Sequence, residues 1–150
     1  MQTNPYQRYA ETNMLSSNPL DLVVALYRGA LDSVLAACRF NEAEDHCGRG
    51  RVVNKALDIL MELTISLDVQ AGGALSVQLG DLYGYMRGRL VEAHTEKSQA
   101  KLIEVAGLLS TLLDGWQQIA AANGNDAGYG LVSPLVASEG FAAPLTYARL

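Results

Sequence analysis

Basic charge is scarce in this chain. Lysine and arginine together number 11 against 16 aspartates and glutamates, for a net charge of −5 over 150 residues. A nucleic-acid binder needs a basic stripe to neutralise phosphates, and none is visible. A helix lying on a membrane surface would carry a lysine- or arginine-rich polar face, which is also missing. No uncharged stretch approaches the ~20 apolar residues that span a bilayer. The opening MQTNPYQRYAETN has neither a basic start nor a continuous apolar stretch, so no secretory signal is expected. Cys38 and Cys47 are the only cysteines, and without such a signal they read as reduced thiols in a cytosol. These absences together predict a soluble, acidic, cytoplasmic protein that binds neither nucleic acid nor membrane.

Catalytic and metal-ligating residues are equally sparse. His46 and His94 are the only histidines. A di-metal centre in a helical bundle calls for inward carboxylates and a Glu-x-x-His pair on each of two helices. Ala43 stands three residues before His46 and Val91 three before His94, so the motif fails at both. Asp45-His46-Cys47 sets three donor types side by side, but adjacent residues on a helix point in different directions. A solvated helix end explains them better. Gly48-Arg49-Gly50-Arg51 lacks the lysine and the strand-to-helix setting of a phosphate loop and reads as a flexible turn or frayed helix start. No enzyme, no metal and no cofactor are expected.

Apolar residues are plentiful, at 49% of the chain, and a single domain of this length buries roughly 70% of its unfolded surface. Their spacing is helical throughout. Asn18 can cap a first helix, Pro19 suits its first position, and Asp21 complements it. Leu20, Val23, Tyr27, Leu31, Val34 and Cys38 then recur at steps of three and four until about Asn41. A second helix is marked by Val52, Ala56, Ile59 and Leu63 and fades by Asp68; Gln70-Ala71-Gly72-Gly73 signals a turn. A third carries Leu75, Leu79, Leu82, Tyr83, Met86, Leu90 and Ala93, and a fourth Leu102, Val105, Leu109, Leu112, Trp116 and Ile119. Four helices with short connections predict an all-α, antiparallel, up-down four-helix bundle over residues 18–122. Residues 1–17 form an N-terminal arm. Residues 123–150, rich in Gly, Ala, Ser and Pro with only Asp126, Glu139 and Arg149 charged, read as a disordered tail. Leu131, Val132, Leu135, Val136, Phe141, Leu145 and Tyr147 make it unusually apolar, and docking on the bundle is the other reading.

Two features exceed what a bundle needs. Beyond one core stripe per helix, the second helix adds Val53, Leu57, Leu60, Met61 and Ile65, and the fourth adds Ile103, Ala106, Leu108 and Leu113. A broad core-facing side accounts for about half; the remainder would stay exposed and mark a partner site. Gly80, Gly84 and Gly88 line one ridge of the third helix, at roughly 0.5–1 kcal/mol each relative to alanine. A shallow channel accepting another helix would account for them, with tolerance of glycine in a stable bundle as the alternative.

Several stretches together resemble the flagellar secretion chaperones, the FliS family. They are Asn4-Pro5-Tyr6 with Tyr9, then Pro19 with Leu26-Tyr27-Arg28-Gly29-Ala30-Leu31, and next Ile59-Leu60-Met61-Glu62-Leu63 with Leu67-Asp68. Leu82-Tyr83-Gly84-Tyr85-Met86 with Arg89-Leu90 and Ala93 is the most specific, and Glu104-Val105 with Trp116-Gln117-Gln118-Ile119 completes the set. Gly84 and Gly88 stand where the family usually has larger, often charged residues, and the tail carries no family motif. The resemblance implies a helical bundle that binds the C-terminal helical region of flagellin, prevents its polymerisation in the cytosol and delivers it to the flagellar export machinery. It implies that Tyr6 and Tyr9 lie over part of the client surface when no client is bound. The expected partner-binding residues are Tyr6, Tyr9, Tyr27, Leu57, Leu60, Met61, Gly80, Tyr83, Gly84 and Met86, of which Tyr27, Tyr83 and Met86 also sit on core stripes. The competing expectation is a regulatory module that sequesters a transcription factor or anti-sigma factor through the same groove.

Overall fold

The computed structural model describes residues 19–123, which form four α-helices and no strand: α1 Pro19–Glu42, α2 His46–Ile65, α3 Val69–Glu96 and α4 Gln99–Asn123. The expected arm (1–17), the capping Asn18 and the tail lie outside the described residues.

The loops between helices are two to three residues long, and each is closed by local hydrogen bonds. α1 ends with Glu44 in the left-handed region (φ 60°), which lets Asp45 N–H reach back to the Phe40 carbonyl at 2.9 Å. α3 ends the same way: Lys97 has φ 57° and Ser98 N–H donates to the Ala93 carbonyl at 2.9 Å. Both are six-to-one closures usually built on glycine. Two N-caps follow directly. The Asp45 carboxylate accepts from Gly48 N–H at 2.9 Å, and Ser98 Oγ accepts from Lys101 N–H at 3.2 Å, each satisfying a donor that a helix start leaves orphaned. Where the sequence suggests a turn at 70–73, helical hydrogen bonding already begins at Val69, and the break is confined to Gly73 (φ 57°, ψ −134°). That backbone region is open in practice to glycine alone. The stretch 48–51 is no flexible turn: it is the regular first turn of α2. Gly48 lets α1 and α2 meet closely there: a Cβ would stand 2.6 Å from Cδ1 of Phe40 on α1, and the ring would have to shift to admit it.

Each helix packs against the two beside it in a ring, α1–α2–α3–α4, with α1 seated most closely against its neighbours. The antiparallel sense is fixed by end-to-end contacts. Gln99 at the start of α4 donates to the Cys38 carbonyl at 3.3 Å near the end of α1, and Arg49 at the start of α2 meets His94 near the end of α3. The core is formed by one side of every helix: Leu26 and Val34, Ile59 and Leu63, Leu79 and Leu90, Leu102 and Leu109, all buried.

A tyrosine pair and an arginine network bring polar groups into this apolar interior. Tyr27 and Tyr83, fully buried on opposite helices, share a hydrogen bond between their hydroxyls. Trp116 stacks on Tyr27 with centroids 6.1 Å apart. Burial raises both phenols well above their ordinary pKa, and Trp116 also hydrogen-bonds Tyr27. At one end of the bundle the Arg49 side chain, with only 3% of the residue exposed, donates through Nε to His94 Nδ1 at 3.0 Å, through Nη1 to Asn41 Oδ1 at 3.0 Å and through Nη2 to the His94 carbonyl at 3.1 Å. Nη1 also faces His46 Nδ1 at 3.0 Å, and Asn41 passes the network to α4 through Gln99 at 2.7 Å. One guanidinium thus links α2 to α1 and α3 directly, and to α4 through Asn41.

Candidate partner-binding surface

The ten expected partner-binding residues separate by depth. Tyr27, Leu60, Tyr83 and Met86 are fully buried; their side chains build the core and offer a partner no surface. The reason is periodicity: each falls on the same stripe as its helix's core residues, so the residue type that suits a partner site also suits the interior. Leu57, Gly80 and Gly84 are half-buried and Met61 is exposed. Tyr6 and Tyr9 lie outside the described residues. About half of the surplus apolar set is core: Val53, Leu60, Ala106 and Leu113 are buried, whereas Met61, Ile65 and Ile103 are exposed.

The exposed part is organised along the shoulder where α2 meets α3. Leu57, Met61 and Thr64 follow one another at helical spacing along the α3-facing edge of α2, and Ile65, one turn after Met61, continues that row onto the outer face. The direction is set by Thr64 Oγ1, which accepts from Arg87 Nη1 of α3 at 3.0 Å. On α3 the facing side runs Val77, Gly80, Gly84, Val91, its position fixed by Gly80, whose nearest neighbour beyond its own helix is Leu67 Cδ1. Met61 is 42% exposed, Ile65 68% and Val77 49%, high values for large apolar side chains in one neighbourhood. Between them the glycines leave a shallow trough. A Cβ on Gly80 would meet only Leu67 Cδ1 at 3.5 Å, one on Gly84 only Arg87 Nη2 at 3.9 Å, and one on Gly88 nothing. No close approach inside the described chain requires these glycines, so helix–helix packing does not offset their cost to helix stability.

Ile65, Val77 and Val91 are absent from the expected site. The signal was present: extending the glycine ridge by one turn in each direction reaches Val77 and Val91, and the step from Met61 to Ile65 is one turn. A second, smaller apolar spot joins exposed Leu35 of α1 and Ile103 of α4, each about one turn from the Cys38–Gln99 contact. The α3–α4 side is polar. Arg89 Nε pairs with Glu104 at 2.8 Å and Lys101 Nζ with Glu92 at 3.0 Å and Glu96 at 2.8 Å. Tyr85 donates its hydroxyl to Glu104, and that bond, followed by the one from Arg89, holds the Glu104 carboxyl below its ordinary pKa. Among the described residues no group of three His, Cys, Asp or Glu side chains could hold a metal ion, and no helix is long and apolar enough to cross a membrane.

The described bundle thus combines a polar network at one end with an exposed apolar shoulder between α2 and α3. The family model for flagellar protein FliS matches residues 2–123. The chain belongs to the FliS family. The flagellar secretion chaperone FliS of Salmonella typhimurium is 33% identical over 111 residues, covering 73% of this chain and 82% of that protein. FliS of Bacillus subtilis is 30% identical over 123 residues, 82% of this chain and 91% of its own length. The flagellar secretion chaperone FliSB of Pseudomonas aeruginosa is 35% identical over 116 residues, 77% and 92% respectively. As a member of the FliS family the chain is a flagellar secretion chaperone, and its exposed α2–α3 shoulder lies within the matched region.

Proposed function

We propose that this chaperone is a non-enzymatic cytosolic protein whose client is flagellin, and that the α2–α3 shoulder receives flagellin's C-terminal helical region. The observation that carries this reading is the exposed run Met61–Ile65 opposite Val77 and Val91, with the glycine trough between them. Client segments whose apolar faces pair with each other need a competing apolar surface, and an amphipathic helix laid in a groove supplies one at helical spacing. Binding then couples to ordering of the client, which lowers affinity per unit area but leaves the complex releasable. No nucleotide is needed; release follows transfer to the export machinery. Tyr6 and Tyr9 would act by covering part of this surface in the empty state.

Calorimetry with a peptide from the flagellin C-terminus tests the reading. A 1:1 complex with a large negative heat-capacity change is expected, and Met61→Asp with Ile65→Asp should weaken it at least tenfold. Equal affinity of wild type and double variant would move the client off this shoulder. Recovery from cells of a transcriptional or anti-sigma regulator, with no flagellin bound, would favour the regulatory alternative.

A further inference from the structure

We propose that residues 124–150 of this chain are an internal competitor that occupies the Met61–Ile65–Val77 end of the α2–α3 shoulder. The proposal rests on the shoulder being the client surface and adds a regulator of it.

Three observations converge. The family match stops at residue 123, so the tail lies outside the part of the chain that matches the family. Within it, residues 127–138 carry no charge and hold Leu131, Val132, Leu135 and Val136, so they can be buried without desolvating an ionised group. The third is placement. Because α4 runs antiparallel to α1 and α3, Asn123 emerges at the end of the bundle where α2 finishes and α3 starts. That end holds Ile65, with Met61 one turn in from it on α2 and Val77 two turns into α3, all three exposed large apolar side chains. Residues 124–130, extended, span about 23–25 Å. Neighbouring helix axes lie about 8–10 Å apart, so Leu131 reaches the shoulder with length to spare.

The test uses the full chain and a variant with Leu131, Val132, Leu135 and Val136 all changed to serine. Methyl NMR reads Met61, on the shoulder, and Met86, fully buried in the core, with Met61→Leu to assign the signal. The expected result is a shifted Met61 methyl, an unmoved Met86 methyl and an affinity for the flagellin C-terminal peptide at least threefold higher in the variant. An unmoved Met61 methyl overturns the proposal, as does a Met61 shift that depends on protein concentration, which assigns the contact to a second copy. A moved Met61 with unchanged flagellin affinity overturns the competition. If neither chain binds the peptide, the flagellin reading fails by itself, and the Met61 signal still decides whether the tail sits there.

Discussion

At the scale of single residues, the Tyr27–Tyr83 pair shows how a polar group can be at home in an apolar core. Each hydroxyl's partner is the other, and Tyr27 adds Trp116. Removing one member therefore strands its partner, and a stranded buried hydroxyl costs about 1–3 kcal/mol. Tyr83→Phe should destabilise the bundle by about 1–2 kcal/mol. Tyr27→Phe should cost more, because it strands both the Tyr83 hydroxyl and the Trp116 indole N–H. The double variant should cost less than the sum, a non-additivity that chemical denaturation measures directly. Alkali provides a second handle on the same pair. Burial raises both phenols above the ordinary value of 10.0. A raised folded-state value means the stability is fully present below pH 10 and is lost as pH rises beyond it. The melting temperature of the wild type should fall more steeply above pH 10 than that of the double Phe variant; parallel curves would remove this pair as the cause.

At the scale of the helix, the three-and-four spacing of apolar residues was enough to place four helices and most of the core. On α4 Leu102, Val105, Leu109 and Trp116 of the expected stripe are buried, while Leu112 and Ile119 are only partly so and Leu113, outside that stripe, is core. Spacing does not reveal how wide a buried face is, and that width decides whether Leu60 is core and Met61, one position on, is surface. The glycine ridge was legible as an anomaly, and its geometry makes the anomaly specific. An added Cβ at Gly88 meets open space and at Gly84 only a flexible guanidinium. Gly84→Ala and Gly88→Ala should each stabilise the free chaperone by roughly 0.5–1 kcal/mol, through backbone entropy alone. If the trough exists for a client helix, Gly84→Leu should leave the fold intact, yet weaken flagellin binding severalfold. A gain in stability with unchanged binding even for leucine would make the glycines neutral and remove the trough from the site.

At the scale of the whole molecule, the least legible residue was Arg49. In the sequence it sits between two glycines, beside an exposed-looking Asp-His-Cys run, and nothing local marks it for burial. Its setting exists only once four helix ends converge: Asn41 from α1, His46 on its own helix, His94 from α3, and Gln99 of α4 through Asn41. Its partners are the Asn41 amide oxygen, the ring nitrogens of His46 and His94 and the His94 carbonyl, and no carboxylate pairs with it among the described residues. The guanidinium's planar set of donors is therefore what satisfies those acceptors, a task a lysine ammonium cannot match in geometry. Arg49→Ala should destabilise the bundle by about 1–3 kcal/mol, since it removes a buried side chain and leaves the half-buried Asn41 and His94 acceptors without their donor. Arg49→Lys should recover less than half of that loss. Because the network lies at the end of the bundle opposite Ile65 and Val77, hydrogen exchange in these variants should quicken first around 41–50 and 93–99. The Met61 region should keep its protection until global unfolding. A uniform increase across all four helices would show that the bundle opens as a single unit, and that the polar framework at one end is not separable from the client surface at the other.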